Sequence, residues 1–320
     1  MVELALQNLI SPIVLSFVLG LVAAGLRSDL SIPEAVAKGL SIYLLFAIGY
    51  KGGVEVAAAG ADPRLGLALV AGVALSALIP LLAYGLLRSM TRLDRVDAAA
   101  VAGHYGSISI VTFVAATSLL RSAGIDYEGW LVAVAAAMEA PAILTALWLA
   151  RGRAGPGEGL PWREIALNGS IVLLLGAFLI GWATGPAGMA EVEGFLVAPF
   201  KGVLCLFLLD MGLVAGRNLL RSRGVLSVGL VLFAVLMPLL GAVLGLVTGW
   251  LLGLSEGGVA LLATLAASAS YIAVPAAMRV ALPEANPAVY LTLALGITFP
   301  FNLAIGVSLY LTAAQWLPGG

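Results

Sequence analysis

Charged side chains are scarce: Asp, Glu, Lys and Arg make up 10% of the 320 residues, against about 25% in a soluble domain. Apolar residues make up 62% and fall in runs of about 20, the length that crosses a bilayer. The shortage of charge therefore excludes a soluble core and points to a polytopic membrane protein. No polar tract is long enough for a soluble domain. The lone cysteine, Cys205, lies within an apolar run and excludes an intrachain disulfide and most cysteine metal sites. The lone histidine, His104, excludes a multi-histidine metal site.

Enzyme signatures are missing too. The His-Glu-x-x-His helix of a metalloprotease is absent, and Asp210 has no second intramembrane aspartate beside it. Ser107 and His104, three residues apart, share one helix face rather than forming an activated pair. No enzyme and no cofactor are expected. The formal net charge of −1 points to no particular partner, and no nucleic acid is expected. Met1-Val2-Glu3 lacks the positive leader of a cleavable signal peptide, so the first apolar run is expected to stay as a span.

What is present reads as an all-α polytopic membrane protein with ten transmembrane helices. Their limits are 6–26, 33–50, 65–88, 97–120, 129–150, 163–184, 195–217, 225–253, 257–281 and 286–314. The Gly/Pro/Arg-rich connection 151–162 separates two five-helix repeats, 1–150 and 163–320. The halves match in order: Lys38-Gly39 with Lys201-Gly202, Gly49 with Gly212, Pro80 with Pro238, and Pro141 with Pro300. Five spans is an odd number, so the second half enters from the opposite side and the repeat is inverted. Pro80 and Pro238 are expected to kink their helices. Glycines every four residues from Gly241 to Gly253 make a smooth face for close packing.

Arginine and lysine set the orientation. Loops after odd-numbered spans hold Arg27, Arg88, Arg92, Arg95, Arg151, Arg153, Arg163, Arg217, Arg221, Arg223 and Arg279; loops after even-numbered spans hold Lys51, Arg64 and Arg121. The first set, with the central loop, is expected in the cytoplasm of a multi-pass inner (plasma) membrane protein. Both termini are then outside.

The organising stretch is Gly-His-Tyr-Gly-Ser-Ile-Ser-Ile-Val-Thr (103–112), in the middle of the fourth span. Hydrocarbon offers the backbone no partners, so glycines, serines and a threonine at that depth predict an interrupted helix lining a polar site. Ala-Ser-Ala-Ser-Tyr-Ile-Ala-Val-Pro (267–275) is its counterpart in the ninth span. Paired interrupted helices mark a transporter's binding site. Half-helix N-termini suit an anion, while freed carbonyls and hydroxyls suit a hard cation such as sodium. Gly106, Ser107, Ser109, Ala267, Ser268 and Ser270 are the candidate anion ligands. Glu139, an ionisable group inside the fifth span, is the candidate sodium ligand with Thr298 and Asn302, joined by Ser109, Thr112 and Ser270. His104, Tyr105, Tyr271, Asp210 and Lys201 are candidate supporting residues; Lys38 and Lys201 also read as lysines that snorkel to the interface. Transport of a small anion with sodium is the leading function, and a sodium/proton antiporter the rival. An antiporter usually has paired carboxylates, and Glu139 and Asp210 lie in the fifth and seventh spans.

Four strings carry a family resemblance: Ala-Val-Ala-Gly-His-Tyr-Gly-Ser-Ile-Ser-Ile-Val-Thr-Phe (100–113), Pro-Phe-Lys-Gly-Val-Leu-Cys-Leu-Phe-Leu-Leu-Asp-Met-Gly (199–212), Ala-Ser-Ala-Ser-Tyr-Ile-Ala-Val-Pro-Ala-Ala-Met-Arg-Val-Ala-Leu-Pro-Glu-Ala-Asn-Pro (267–287) and Gly-Ile-Thr-Phe-Pro-Phe-Asn (296–302). The chain resembles the sodium-dependent bicarbonate transporters first recognised in cyanobacteria. The resemblance implies a gate domain from spans 1, 2, 6 and 7, and a core domain from spans 3–5 and 8–10. It also implies a homotrimer embedded in membrane lipid. Bicarbonate, or a similar small anion such as a short carboxylate, would bind with sodium where the fourth and ninth spans cross. An elevator-like movement of the core against the gate would carry them. A PII-like regulatory protein would meet the cytoplasmic face, near a connection that is short in this chain.

Overall fold

The computed structural model describes residues 10–59, 62–151, 169–221 and 226–317. Their regular structure is all helical, with no strand among the described residues. Eight helices are long and apolar enough to cross a membrane, and two shorter apolar helices are present. The predicted connecting loop lies outside the described residues except for Arg151, as do the predicted starts of the first and sixth spans.

In chain order the helices are α1 (Pro12–Gly25), α2 (Glu34–Ala59), α3 (Arg64–Met90), α4 (Arg95–Gly106), α5 (Ile110–Ser122), α6 (Leu131–Ala137), α7 (Glu139–Arg151), α8 (Gly169–Leu196), α9 (Phe200–Arg221), α10 (Val228–Leu251), α11 (Glu256–Ala267) and α12 (Ala273–Ala281). The last, α13, runs Pro287–Gln315. Local chemistry sets many of the starts. Ser11, Asp94, Ser227 and Ser255 each accept a hydrogen bond from a first-turn amide, supplying one of the partners that a helix start lacks.

The helices fall into two packed groups. In one, α1 lies along α9 and α2 along α8. Gly20 and Gly212 bring α1 and α9 into backbone contact: a Cβ on Gly20 would meet the Leu209 carbonyl, and one on Gly212 the Phe17 carbonyl. In the other group α3, α4 and α7 pack together, and α10 lies along α11. α4 is buried from Ala98 to Gly106. Between membrane helices there is no hydrophobic gain to be had from lipid, so close packing of small residues does this work. Leu19, Val70, Leu179 and Val243 stay exposed and suit contact with acyl chains.

Gly241, Gly245 and Gly249 face α11: a Cβ on each would meet Ala266, Ala263 and Val259 respectively. Gly253 belongs to a different device, the left-handed turn that ends α10, with φ 64°.

Two spans are longer than the sequence predicts. α2 continues nine residues past Tyr50, so Lys51 sits on a helix and not in a loop. α8 continues past residue 184 through a break at Gly185, whose φ of 60° and ψ of −158° are open essentially only to glycine. Gly185→Ala is expected to cost about 1–3 kcal/mol, read as a lowered unfolding midpoint in detergent.

At one end of the second group an ionic knot ties three connections together. Arg64 pairs with Asp62 at 2.8 Å and Glu128 at 3.4 Å, and donates to the Gly253 carbonyl at 2.6 Å. Glu128 accepts from the Ser255 amide at 2.8 Å and its hydroxyl at 2.9 Å. The hydrogen bonds from Arg64 hold the Asp62 carboxyl below the usual carboxylate range.

Candidate functional site

Both predicted interruptions are breaks in the helix. α4 stops at Gly106, Ser107–Ser109 run extended, and α5 begins at Ile110. α11 stops at Ala267, and α12 begins at Ala273. The breaks cross and exchange hydrogen bonds. The Ser109 amide donates to Ser268 Oγ at 2.8 Å, and the Ser270 amide donates to the His104 carbonyl at 2.7 Å. Each bond satisfies a backbone group that unwinding would otherwise strand in hydrocarbon.

The serines also cap the half-helices that follow. Ser109 Oγ accepts from the Thr112 amide at 3.2 Å and the Thr112 hydroxyl at 2.9 Å. Ser270 Oγ accepts from the Val274 amide at 3.4 Å. Capping is the ordinary role of such a serine; Ser270 Oγ, which accepts one bond, keeps a second lone pair for a ligand, whereas Ser109 Oγ frees one when the Thr112 hydroxyl turns away.

A cavity of about 10 Å³ sits at the crossing, lined by Ser109, Glu139, Ser270 and Tyr271 among others. That is room for roughly one water-sized object. Glu139 is 3% exposed, and its Oε2 has no hydrogen-bond partner among the described residues. A buried carboxylate oxygen without a partner is costly, and oxygen donors around a small cavity are the set that a hard cation uses.

Glu139 is placed by a residue that sequence reasoning missed. α6 ends at Ala137 and α7 starts at Glu139. Ser76 of α3 inserts its hydroxyl there, donating to the Met138 carbonyl at 2.5 Å and accepting from the Ala142 amide at 3.1 Å. A lone intramembrane serine carries little signal, because most bond back to their own helix. Gly106 lets α4 approach the same region: a Cβ there would run into Pro80.

The remaining predicted residues surround the crossing rather than line that cavity. Ser107 Oγ is buried and has no partner among the described residues. The Ala267 carbonyl accepts from Asn302 Nδ2 at 2.8 Å, and Asn302 Oδ1 accepts from Tyr310 at 2.7 Å. Thr298 donates to the Ala234 carbonyl and bonds the Tyr105 hydroxyl, each at 2.6 Å. Thr298 thus spends its hydroxyl on α10 and α4, and Asn302 spends its amide nitrogen on α11 and its amide oxygen on Tyr310 of its own helix. Both lie in π-helical turns, Thr292–Thr298 and Asn302–Gly306, on either side of Pro300; Pro300 has no amide to continue an α-helix. Such turns are frequent at functional sites.

His104 stacks on Tyr290 with ring centroids 4.5 Å apart, and its Nδ1 lies 2.7 Å from the Ala100 carbonyl. Tyr271 meets Phe299 edge-on at 5.1 Å. Asp210 is buried on α9 and does not line the cavity. Lys201 is exposed at the start of α9 and lines a second, larger cavity with Lys51 and Arg121. Lys38 is exposed near the start of α2. Among the described residues no group of three or more His, Cys, Asp or Glu could hold a metal ion.

No curated protein sequence matches the chain. Residues 12–315, nearly the whole chain, match the profile of the Na+-dependent bicarbonate transporter superfamily. A membrane-embedded helical chain with that match along its length belongs to the Na+-dependent bicarbonate transporter superfamily.

Proposed function

We propose that this chain is a sodium-coupled symporter that imports bicarbonate across the plasma membrane. The observation that carries the reading is the crossing of two broken helices around a small cavity that holds an unpartnered glutamate oxygen. Sodium takes the cavity, held by Glu139, Ser109 and Ser270, with Thr112 behind Ser109. The anion takes the space between the two breaks, bounded by Gly106, Ser107 and Ser109 on one side and Ala267, Ser268 and Ser270 on the other, with the unpartnered Ser107 hydroxyl as its donor. Thr298 and Asn302 hold the crossing together from behind. Coupling follows from electrostatics, because a lone charge in hydrocarbon is expensive and an anion carried beside a cation is not a lone charge.

Transport then requires the crossing to move whole. The pairs α1–α9 and α2–α8 form the gate, and the helices bearing both breaks form the core that slides past it. The ionic knot at Arg64 and the glycine contacts of α10 with α11 support this reading, since both bind core elements to one another. The mirrored pairing of helices supports two inverted repeats of five spans, 1–150 and 163–320. Both termini would lie outside and the central loop in the cytoplasm. A homotrimer built on the gate and a PII-like regulator on the cytoplasmic face belong to the same reading.

Uptake of radiolabelled bicarbonate into proteoliposomes, with and without an inward sodium gradient, tests it. We expect gradient-dependent uptake that Ser107→Ala with Ser268→Ala lowers at least tenfold, from the loss of the Ser107 hydrogen bond to a charged ligand, at about 1.5–3 kcal/mol, and of the Ser268 hydroxyl that holds the Ser109 amide across the crossing, while membrane insertion is retained. Normal transport by that double variant would place the site elsewhere. Uptake blocked by an unlabelled short carboxylate, but not by unlabelled bicarbonate, would reassign the substrate.

A further inference from the structure

Between the two helix groups lies a cavity of about 220 Å³, many times the ~10–15 Å³ that one water needs. It lies toward the ends of α2 and α5 and the start of α9, the side that the positive-inside reading puts outside the cell. Three cationic residues line it: Lys51 on α2, Arg121 on α5 and Lys201 on α9. Among the described residues the only acidic side chain in its wall is Glu55, which pairs with Arg121 at 3.6 Å. Arg121 also donates to the Tyr127 hydroxyl at 2.9 Å and lies over that ring. Glu55 also attracts Lys51, so one carboxylate faces three cations. Lys51 and Lys201 form no ion pair among the described residues, and the wall carries a net excess of two positive charges. Snorkelling accounts for a lysine at a helix end and fits Lys201, the second residue of α9. It fits Lys51 poorly, because that residue is half-buried eight residues before the end of α2.

The cavity continues toward the broken-helix site. On α5, Ile110 lines the small cavity, while Val114, Thr117 and Arg121 line the large one at helical spacing. On α2, Leu45 lines the small cavity and Ile48 and Lys51 the large one. The two spaces are therefore consecutive along the same pair of helices, with apolar side chains between them.

We infer that this vestibule is a capture site for a small, singly charged oxyanion, with the ammonium groups of Lys51 and Lys201 as its ligands, from which the anion passes to the helix breaks. The inference rests on the anion transport proposed above. Cations in a cleft with low-dielectric walls raise the local concentration of anions by about 10- to 1,000-fold. They repel sodium, so in this sequence the anion arrives first and its charge eases the approach of the cation.

Two measurements test it separately. In the first, a fluorophore is attached at Ala198→Cys in a Cys205→Ala background, because Ala198 is exposed and lines the vestibule. The protein is placed in phosphatidylcholine vesicles, which supply no anionic lipid. Iodide quenching is compared with quenching by neutral acrylamide. The iodide preference should fall about tenfold in Lys51→Gln/Lys201→Gln and persist in Lys51→Arg/Lys201→Arg. This arm needs no transport, so it decides on the vestibule even where bicarbonate uptake fails. In the second, the glutamine pair should raise the KM for bicarbonate about tenfold with Vmax retained. An unchanged iodide preference would overturn the inference. So would a lost preference with an unchanged KM, which would make the cavity cationic but off the transport route.

Discussion

Replacing Gly245 by leucine is expected to abolish uptake while leaving protein in the membrane. Gly245 lies in the middle of the close contact between α10 and α11: a Cβ there would lie 2.5 Å from Ala263 Cα, 2.6 Å from the Leu262 carbonyl oxygen and 2.8 Å from the Ala263 amide nitrogen. All three are backbone atoms and cannot rotate away, and the rest of a leucine side chain needs more room still. The helices must therefore separate, and lipid offers no compensating partner for the lost contact. α11 ends at Ala267, one residue before the Ser268 hydroxyl that receives the Ser109 amide. Displacing α11 thus pulls the two breaks apart. Gly85→Leu is the matched control, because Gly85 is exposed on α3 and a Cβ there meets nothing within 4 Å. Sodium-driven uptake measured beside surface expression separates the two variants. Full transport by Gly245→Leu would show that the α10–α11 contact does not hold the site.

Glu139→Gln is expected to raise the sodium concentration for half-maximal uptake roughly 10- to 100-fold. The estimate follows from about 1.5–3 kcal/mol for an interaction with a charged group. Glutamine keeps the shape and one carbonyl oxygen but removes the charge. The position matters because Glu139 is buried at the start of α7, with Ser76 stitching the helix break beside it, and shares a small cavity with Ser109 and Ser270. At saturating sodium the maximal rate should approach that of the parent protein. Initial rates across a sodium series give the answer. An unchanged sodium curve would remove Glu139 from the sodium site and leave its burial as a structural feature.

The helix breaks were legible because their chemistry is local. Ser107 and Ser109 beside Gly106, and Ser268 with Ser270, carry hydroxyls that compete with the backbone for hydrogen bonds, and in hydrocarbon such residues need a reason. The glycine face of α10 was legible for the same kind of reason, since a four-residue period maps directly onto one side of a helix. The C-terminal end of α2 was not. Gly52 and Gly53 interrupt the apolar run, and glycine ordinarily weakens a helix. Here they let α2 approach its neighbours: a Cβ on Gly53 would meet the Phe178 carbonyl of α8. Packing thus carried the helix through residues that propensity alone would have used to stop it, and it took Lys51 and Glu55 from a loop onto a cavity wall. Thr298 and Asn302 were found as polar residues beside a proline, but their direction was not legible. The π turns around Pro300 shift the register of the last helix, and they leave the Thr298 hydroxyl on the Ala234 carbonyl and the Asn302 amide on that of Ala267.

By itself the sequence determined that this chain lives in a membrane, that its structure is helical, and where two of its helices must break. Those outcomes follow from the transfer cost of polar groups and from backbone preferences, which act over a few residues and need no partner. Tertiary structure alone decided which polar atoms remain free. Serine, threonine and asparagine each have several ways to satisfy their groups, and the choice depends on which carbonyl another helix brings within 3 Å. Thr298 and Asn302 find such carbonyls and are used up. Glu139 Oε2 and Ser107 Oγ find none among the described residues, and Lys51 meets Lys201 across a cavity that exists only because two helix groups lie side by side.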